Sequence, residues 1–150
     1  MENKVNVFET LNSINVKDKV ELKAKLSYLS WAWAWAETKK KFPLATYTVF
    51  KDENNLPYIY DENLGYMCFT TVTIEEQTLE MWLPVMDGAN KPMKKESYTY
   101  STRYGDKTVE PASMFDINKT IMRCLVKNLA MFGMALYIYA GEDLPEETPK

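Results

Sequence analysis

Three cations recur at every fourth position in the last third of the sequence: Lys119, Arg123 and Lys127. On an α-helix this spacing places them on one face, about 6 Å apart along the axis. That step suits the phosphates of an extended single strand, and like charges at this spacing cost a helix roughly a few tenths of a kcal/mol per pair. The pattern fits a phosphate-binding track with Asp116 at its edge, and it fits an ordinary solvated helix face equally well.

A second group interleaves cations with aromatic side chains over residues 91–104. Such a mixture combines neutralisation of phosphates with base stacking, which is worth about 1–3 kcal/mol per base. An ordinary surface loop would also account for it. Together the two groups predict a DNA-binding surface made of Lys91, Lys94, Lys95, Tyr98, Tyr100, Arg103, Lys119, Arg123 and Lys127.

The residue types that most hydrolytic and metal-dependent enzymes need are scarce. The chain of 150 residues has no histidine, and its two cysteines, Cys68 and Cys124, are far apart in the sequence. This excludes most zinc sites and nucleophiles activated by histidine. Adjacent acids such as Glu75 and Glu76 point to opposite faces of a strand, so they do not converge as a two-metal nuclease requires. We predict reduced, buried cysteines and no catalytic residue, metal or cofactor.

Charge is distributed unevenly along the chain. The formal net charge is −3, but residues 88–127 carry eight Lys or Arg and four acids, between two acidic segments. A basic middle keeps nucleic-acid binding open in spite of the acidic total. We predict one domain over residues 1–145 and a short acidic tail over 146–150. No apolar run is long enough for a membrane span and no secretory signal is visible, which predicts a cytoplasmic protein.

Three segments have helical patterns. Residues 5–15 predict a short helix. Within residues 28–42, Ser30 is the N-cap of a Trp-rich helix that follows it and that Pro43 stops. Trp31 and Trp35 share one face of that helix. The clearest helix runs from Phe115 to about Phe132, followed by Gly133 as a C-cap candidate. Its apolar face comprises Ile117, Ile121, Met122, Leu125, Val126, Leu129 and Phe132, and its polar arc Asp116, Lys119, Thr120, Arg123 and Lys127.

The segments between these helices have the composition of strands. Residues 46–51, 66–75 and 78–86 predict an antiparallel β-meander, and residues 58–60 offer a short fourth strand. Pro84 should lie at a strand end or sheet edge because it cannot donate to a ladder. Residues 87–112 are predicted to be a polar loop, and residues 134–140 a final strand or extended arm. The fold class is therefore α+β, with a meander of three to four strands packed on the long C-terminal helix.

The sequence resembles the bacteriophage single-strand annealing proteins of the Sak type, which are grouped with the Erf recombinases and, more distantly, with the annealing domain of the eukaryotic Rad recombination mediator. The resemblance covers roughly residues 25–145. Three blocks carry it: YLSWAWAWAE (28–37), EMWLPVMDGANKPMK (80–94) and FDINKTIMRCLVKNLAMFGMALYIYAGEDLP (115–145).

This resemblance implies a ββ-β-α unit that assembles into rings or filaments and holds single-stranded DNA in a cationic groove. It also implies annealing of complementary strands without ATP, in the host cytoplasm, with phage or host recombination and replication proteins as further partners. By position, Lys127 falls in the helix segment that carries the groove cations, and Gly133 matches the glycine that closes that helix. Two other functions stay open: a small protein-binding or inhibitor domain, and a protein that coats single strands without annealing them.

Overall fold

The computed structural model describes residues 5–16, 20–23 and 26–139 and has the predicted α+β fold. An antiparallel sheet is covered on one face by a long C-terminal helix, and two shorter helices precede the sheet. The elements in chain order are α1 (Val7–Asn12), β1 (Val20–Lys23), β2 (Leu26–Leu29), α2 (Trp31–Lys41), β3 (Thr46–Val49), β4 (Ile59–Asp61), β5 (Gly65–Ile74), β6 (Gln77–Pro84), β7 (Tyr98–Thr102), β8 (Gly105–Val109), α3 (Met114–Met131) and a 3₁₀ helix (Leu136–Tyr139).

The main sheet is built around its longest strand, β5. β5 pairs antiparallel with β6 along one side, and with β4 and β3 in succession along the other. The predicted meander is therefore confirmed. The side of β5 opposite β6 is shared by two short strands, β3 and β4. Every second side chain of β5 is buried, as expected for a strand that faces a core on one side only. Pro84 ends β6, at the edge of the sheet, where the sequence places it.

The long helix α3 has clear signals at both ends. Ser113 and Asp116 exchange hydrogen bonds between side chain and backbone, a capping box that satisfies donors of the first turn. Gly133 follows the C-cap with φ +109°, a conformation that favours glycine. A Cβ at Gly133 would lie 2.5 Å from the carbonyl oxygen of Phe8, so α1 can only approach a glycine here.

α3 packs its apolar face against β5 and β6, as the sequence predicts. Thr120 departs from the prediction because it is buried, although the pattern places it on the polar arc. Its hydroxyl donates to the carbonyl oxygen of Asp116 (2.9 Å), and this local bond makes its burial inexpensive. Asn128 is also buried, and its amide nitrogen donates to the carbonyl oxygens of Thr70 (3.2 Å) and Leu79 (3.1 Å). The amide thus ties α3 to both long strands.

The two N-terminal helices, α1 and α2, contribute to a core at the C-terminal end of α3. Asn6 caps α1 and Ser30 caps α2, so both predicted helices are confirmed. Trp33 and Trp35 pack partly buried against this core, whereas Trp31 is exposed. Of the two residues that share one face of the helix, only Trp35 therefore contacts the core. The buried members of this core include Leu11, Val16, Ala34, Phe42, Val72, Ile74, Leu125, Leu129, Phe132 and Met134.

Residues 87–112 are not the polar loop that the sequence predicts, because they contain the hairpin β7–β8. The strands pair from Tyr98 opposite Val109 to Thr102 opposite Gly105. Exposure alternates along β7, because only one side of this two-stranded ribbon meets the rest of the protein. That side contributes to a second core, whose buried members are Tyr66, Cys68, Val85, Met93, Val109, Ile117 and Ile121.

The end of the chain also differs from the prediction. Residues 136–139 form a 3₁₀ helix, not a strand or extended arm. Met134 and Ala135 are buried in the first core, and Ala135 has φ +57°, which is incompatible with an extended strand. The predicted acidic tail lies outside the described residues. Cys68 and Cys124 are free and buried, as predicted. No helix within the described ranges is long and apolar enough to cross a bilayer.

Candidate nucleic-acid interface

α3 carries the predicted cations on the side turned away from the sheet. Lys119 and Arg123 are exposed and Lys127 is half-buried. Their spacing gives about 6 Å per step, so the three charges are distributed over about 12 Å of helix. We call these three residues the α3 track. Because the opposite face of α3 is buried against the sheet, the side chains of the α3 track point away from the sheet.

Aromatic rings accompany the two ends of the α3 track. The ammonium group of Lys119 is 5.5 Å from the centre of the Phe115 ring, and that of Lys127 is 5.9 Å from the centre of the Tyr139 ring. Lys119 also lies 4.0 Å from a carboxylate oxygen of Asp116. A solvated ion pair at this distance is weak, so it leaves Lys119 able to bind a phosphate. Asp116 marks the edge of the track, as the sequence indicates.

The loop cations form a second cationic surface, which we call the Lys–Tyr cluster. Each of its three ammonium groups lies over a tyrosine ring, at 4.6 to 4.9 Å from the ring centre. Such contacts contribute about 0.5–1 kcal/mol at exposed sites and hold a flexible lysine in place. The pairs are Lys91 over Tyr100, Lys94 over Tyr98 and Lys95 over Tyr60.

The backbone of the cluster is held by hydrogen bonds within the loop that follows β6. One carboxylate oxygen of Asp87 accepts from the backbone N–H groups of Ala89 and Lys91, both at 2.9 Å. The Tyr98 hydroxyl donates to the carbonyl oxygen of Pro92 at 2.5 Å. Burial raises the pKa of Tyr98, with smaller contributions from the Asp87 carboxylate and from Tyr100. The phenol therefore remains protonated and keeps donating to Pro92 at neutral pH.

Tyr60 of β4 joins the Lys–Tyr cluster to two further tyrosines, Tyr58 and Tyr66. The Tyr66 ring contacts the rings of Tyr58 and Tyr60, at 5.0 and 4.5 Å between centres. Burial raises the pKa of Tyr66, and its two tyrosine neighbours raise it further. The Tyr60 hydroxyl also accepts a bond from the backbone N–H of Lys95 (3.4 Å). The cluster is thus anchored on β4 and β5 and is not a detached loop.

The Lys–Tyr cluster and the α3 track are connected at the N-terminal end of α3. The backbone N–H of Ala112 donates to the carbonyl oxygen of Lys94 (2.9 Å), and α3 begins two residues later. Beneath this junction, Ile117 and Ile121 of α3 share the second core with the tyrosines of the cluster. Two groups of cations that are separate in the sequence therefore lie on joined elements.

Arg103 lies at the tip of the β7–β8 hairpin. Its guanidinium lies 5.6 Å from the centre of the Tyr104 ring, which is 84% exposed. The other predicted cations of this region contact tyrosines of the cluster instead. The sequence does not predict that Tyr58, Tyr60 and Tyr66 support the Lys–Tyr cluster, because the Lys95–Tyr60 contact joins residues 35 positions apart. The spacing of Tyr58 and Tyr60, two positions apart, was the one local signal available.

The described part of the chain shows no arrangement suited to catalysis by metal or thiolate. No group of three or more His, Cys, Asp or Glu among these residues is placed to hold a metal ion. Burial raises the pKa of the Cys68 thiol to about 12, and burial also raises the pKa of Cys124. Both thiols are therefore protonated, and weak nucleophiles, at neutral pH.

An α+β unit that joins a row of helix cations to a cation–aromatic cluster has the features of a surface for single-stranded nucleic acid, since it offers contacts to phosphates and to base rings. The sequence matches the family model of the Sak single-strand annealing proteins over residues 6–150. The chain therefore belongs to this family, and the resemblance stated above is confirmed. Membership implies single-strand annealing in phage recombination and single-stranded DNA as the partner. No curated protein matches the sequence.

Proposed function

We propose that the protein binds single-stranded DNA through the α3 track and the Lys–Tyr cluster and anneals complementary strands without ATP. The observation that supports this most is the junction between the two surfaces, where Ala112 bonds to Lys94 just before α3 begins. In this proposal the phosphates bind Lys119, Arg123 and Lys127, and the strand continues over Lys91, Lys94 and Lys95. Tyr98 and Tyr100 offer rings for stacking, and Arg103 contacts DNA from the hairpin tip.

Annealing follows from binding through phosphates. A strand that is held extended by its phosphates keeps its bases accessible and free of secondary structure, so a complementary strand can pair with them. No base-specific readout and no chemical step are needed, and the protein acts as a binding protein, not as an enzyme. We further propose that copies assemble into a ring or filament in the host cytoplasm, so that their cationic surfaces form one groove. Weak contacts in each copy then add up to useful avidity.

The proposal is tested by following two complementary oligonucleotides, one carrying a dye and the other a quencher, with and without the protein. No nucleotide is added, and the salt concentration is varied. We expect accelerated annealing that declines as salt rises. Binding without acceleration would indicate a protein that coats single strands. If neither binding nor acceleration occurs with folded protein, the function is not annealing, and the exposed aromatic residues would next be tested for binding to a protein.

A further inference from the structure

The outer edge of β6 presents backbone groups that no strand of the described residues pairs with. The bond from the Val85 N–H to the Tyr66 carbonyl oxygen fixes which residues of β6 face β5. In an antiparallel pair this orientation alternates, so the N–H and C=O groups of Thr78, Glu80 and Trp82 point away from β5. Pro84 occupies the next outward position, where its missing N–H removes no bond to β5.

Apolar side chains flank this edge on both faces of the sheet. Leu79, Met81 and Leu83 lie on the helix side but are only half-buried, whereas the corresponding side chains of β5 are fully buried. On the open face, Trp82 is 53% exposed and stacks on Phe69 at 6.4 Å between ring centres. The unpaired edge from Gln77 to Leu83, without lysine and with apolar neighbours, is a surface that readily accepts another strand.

The opposite edge of the sheet belongs to β3. The Phe50 N–H donates to the Phe69 carbonyl oxygen (3.0 Å), so by the same alternation Tyr47 and Val49 direct their backbone groups outward. Since β3 and β6 are both antiparallel to β5, they run in the same direction. A second copy placed beside the first in the same orientation therefore brings its β3 parallel to β6. After this contact forms, β3 of the first copy and β6 of the second copy are still unpaired, so the same contact can repeat from copy to copy.

We propose that β6 of one copy pairs with β3 of the next and that this strand addition is the contact between subunits. This pairing specifies the contact between subunits of the ring or filament proposed above, and it rests on that proposed function. The alternative contact, β6 with β6 of a second copy in the antiparallel register that aligns Thr78 with Trp82, places Glu80 directly opposite Glu80, which is unfavourable. A head-to-tail contact also has no twofold axis, so it generates rings or filaments and not closed dimers.

Cysteine crosslinking tests the pairing directly. Thr78 on β6 and Thr46 and Thr48 on β3 face the open side of the sheet, opposite Thr73 and Thr71 of β5. Within one copy β5 separates them by about 10 Å, too far for a disulfide. We expect Thr78→Cys combined with Thr46→Cys or Thr48→Cys to give a ladder of crosslinked species on oxidation, and the single variants to give none. Dimers from Thr78→Cys alone, or no ladder from either combination, would overturn the proposal.

A proline at Glu80 provides a second test, because the Glu80 N–H points outward and takes no part in pairing with β5. We expect Glu80→Pro to retain its circular dichroism spectrum and to shift to monomers in light scattering. The control Glu80→Thr keeps the N–H and should assemble like the natural protein. Unchanged mass for Glu80→Pro would contradict the proposed contact. Annealing is measured in parallel, and if the natural protein is itself a monomer and still anneals, the interface is refuted while the proposed function stands.

Discussion

At the scale of single residues, the buried thiols link protonation to stability. Cys68 is inaccessible, and burial raises the pKa of its thiol from 9.0 to about 12. Between these two values the unfolded chain loses the proton and the folded chain retains it. The unfolded state then binds fewer protons, so the free energy of unfolding must fall as pH rises. Below pH 9 the thiol is protonated in both states and has no such effect.

We therefore expect the free energy of unfolding to decrease above pH 9, with Cys68 contributing about 1.4 kcal/mol per pH unit. Urea denaturation at pH 8, 9.5 and 10.5 measures this slope. Cys68→Ala should be less stable at pH 8 because of the cavity but should show a shallower decline. Equal slopes for the two proteins would mean that another group causes the dependence, with the Cys124 thiol, whose pKa burial also raises, as the first candidate.

The cations of the candidate site are visible in the sequence, but their partners are not. Lysine charge and spacing along α3 are local properties, and helical periodicity is sufficient to place them on one face. The contact of Lys95 with Tyr60 depends instead on how the segment after β6 folds back against β4. Burial of Thr120 and Asn128 likewise depends on the position of the sheet beneath α3. Tertiary packing, which local pattern does not encode, decides these cases.

At the scale of elements, one glycine connects the sheet to the candidate site. Gly65 begins β5 with φ +93°, and a Cβ there would lie 2.7 Å from the carbonyl oxygen of Met93. Met93 lies between Lys91 and Lys94, so its backbone cannot shift without moving the Lys–Tyr cluster. Both the conformation and the close approach require glycine at this position.

Gly65→Ala should therefore destabilise the protein by about 1–3 kcal/mol and weaken its binding to single-stranded DNA. Thermal unfolding and fluorescence anisotropy with a labelled oligonucleotide measure the two effects. Gly88→Ala is the matched control, because a Cβ at Gly88 meets nothing within 4 Å. If Gly65→Ala loses stability but binds DNA as tightly as the control, the Lys–Tyr cluster does not contribute to the interface.

The elements that the sequence predicts well are those with strong local signals. α3 has a capping box, a broad apolar face and a terminal glycine, and its observed bounds lie one residue from the predicted ones. The β7–β8 hairpin was missed because its strands are polar and its turn at Arg103 and Tyr104 lacks a typical turn pair. The final 3₁₀ helix was missed because burial of Met134 and Ala135 overrides the β propensity of the residues that follow.

At the scale of the whole molecule, binding to DNA must overcome an acidic total. The net charge is −3, so the protein and DNA repel each other at long range. Any affinity for phosphates must come from local cations, chiefly those of residues 88–127. The slope of log affinity against log salt then counts the phosphates that these cations neutralise, at about 0.7 per phosphate for a single strand.

Removing two charges of the α3 track should therefore change this slope by a defined amount. We expect Arg123→Ala combined with Lys127→Ala to weaken binding and to reduce the slope by about 1.4, since two phosphate contacts are lost. The control, Lys41→Ala combined with Lys51→Ala, removes two exposed cations outside α3 and changes net charge equally. If both double variants lower affinity and slope alike, the effect is one of total charge, and α3 is not a specific track. A reduced slope in the α3 variant alone, with its assembly unchanged, would show that the phosphates lie along this helix.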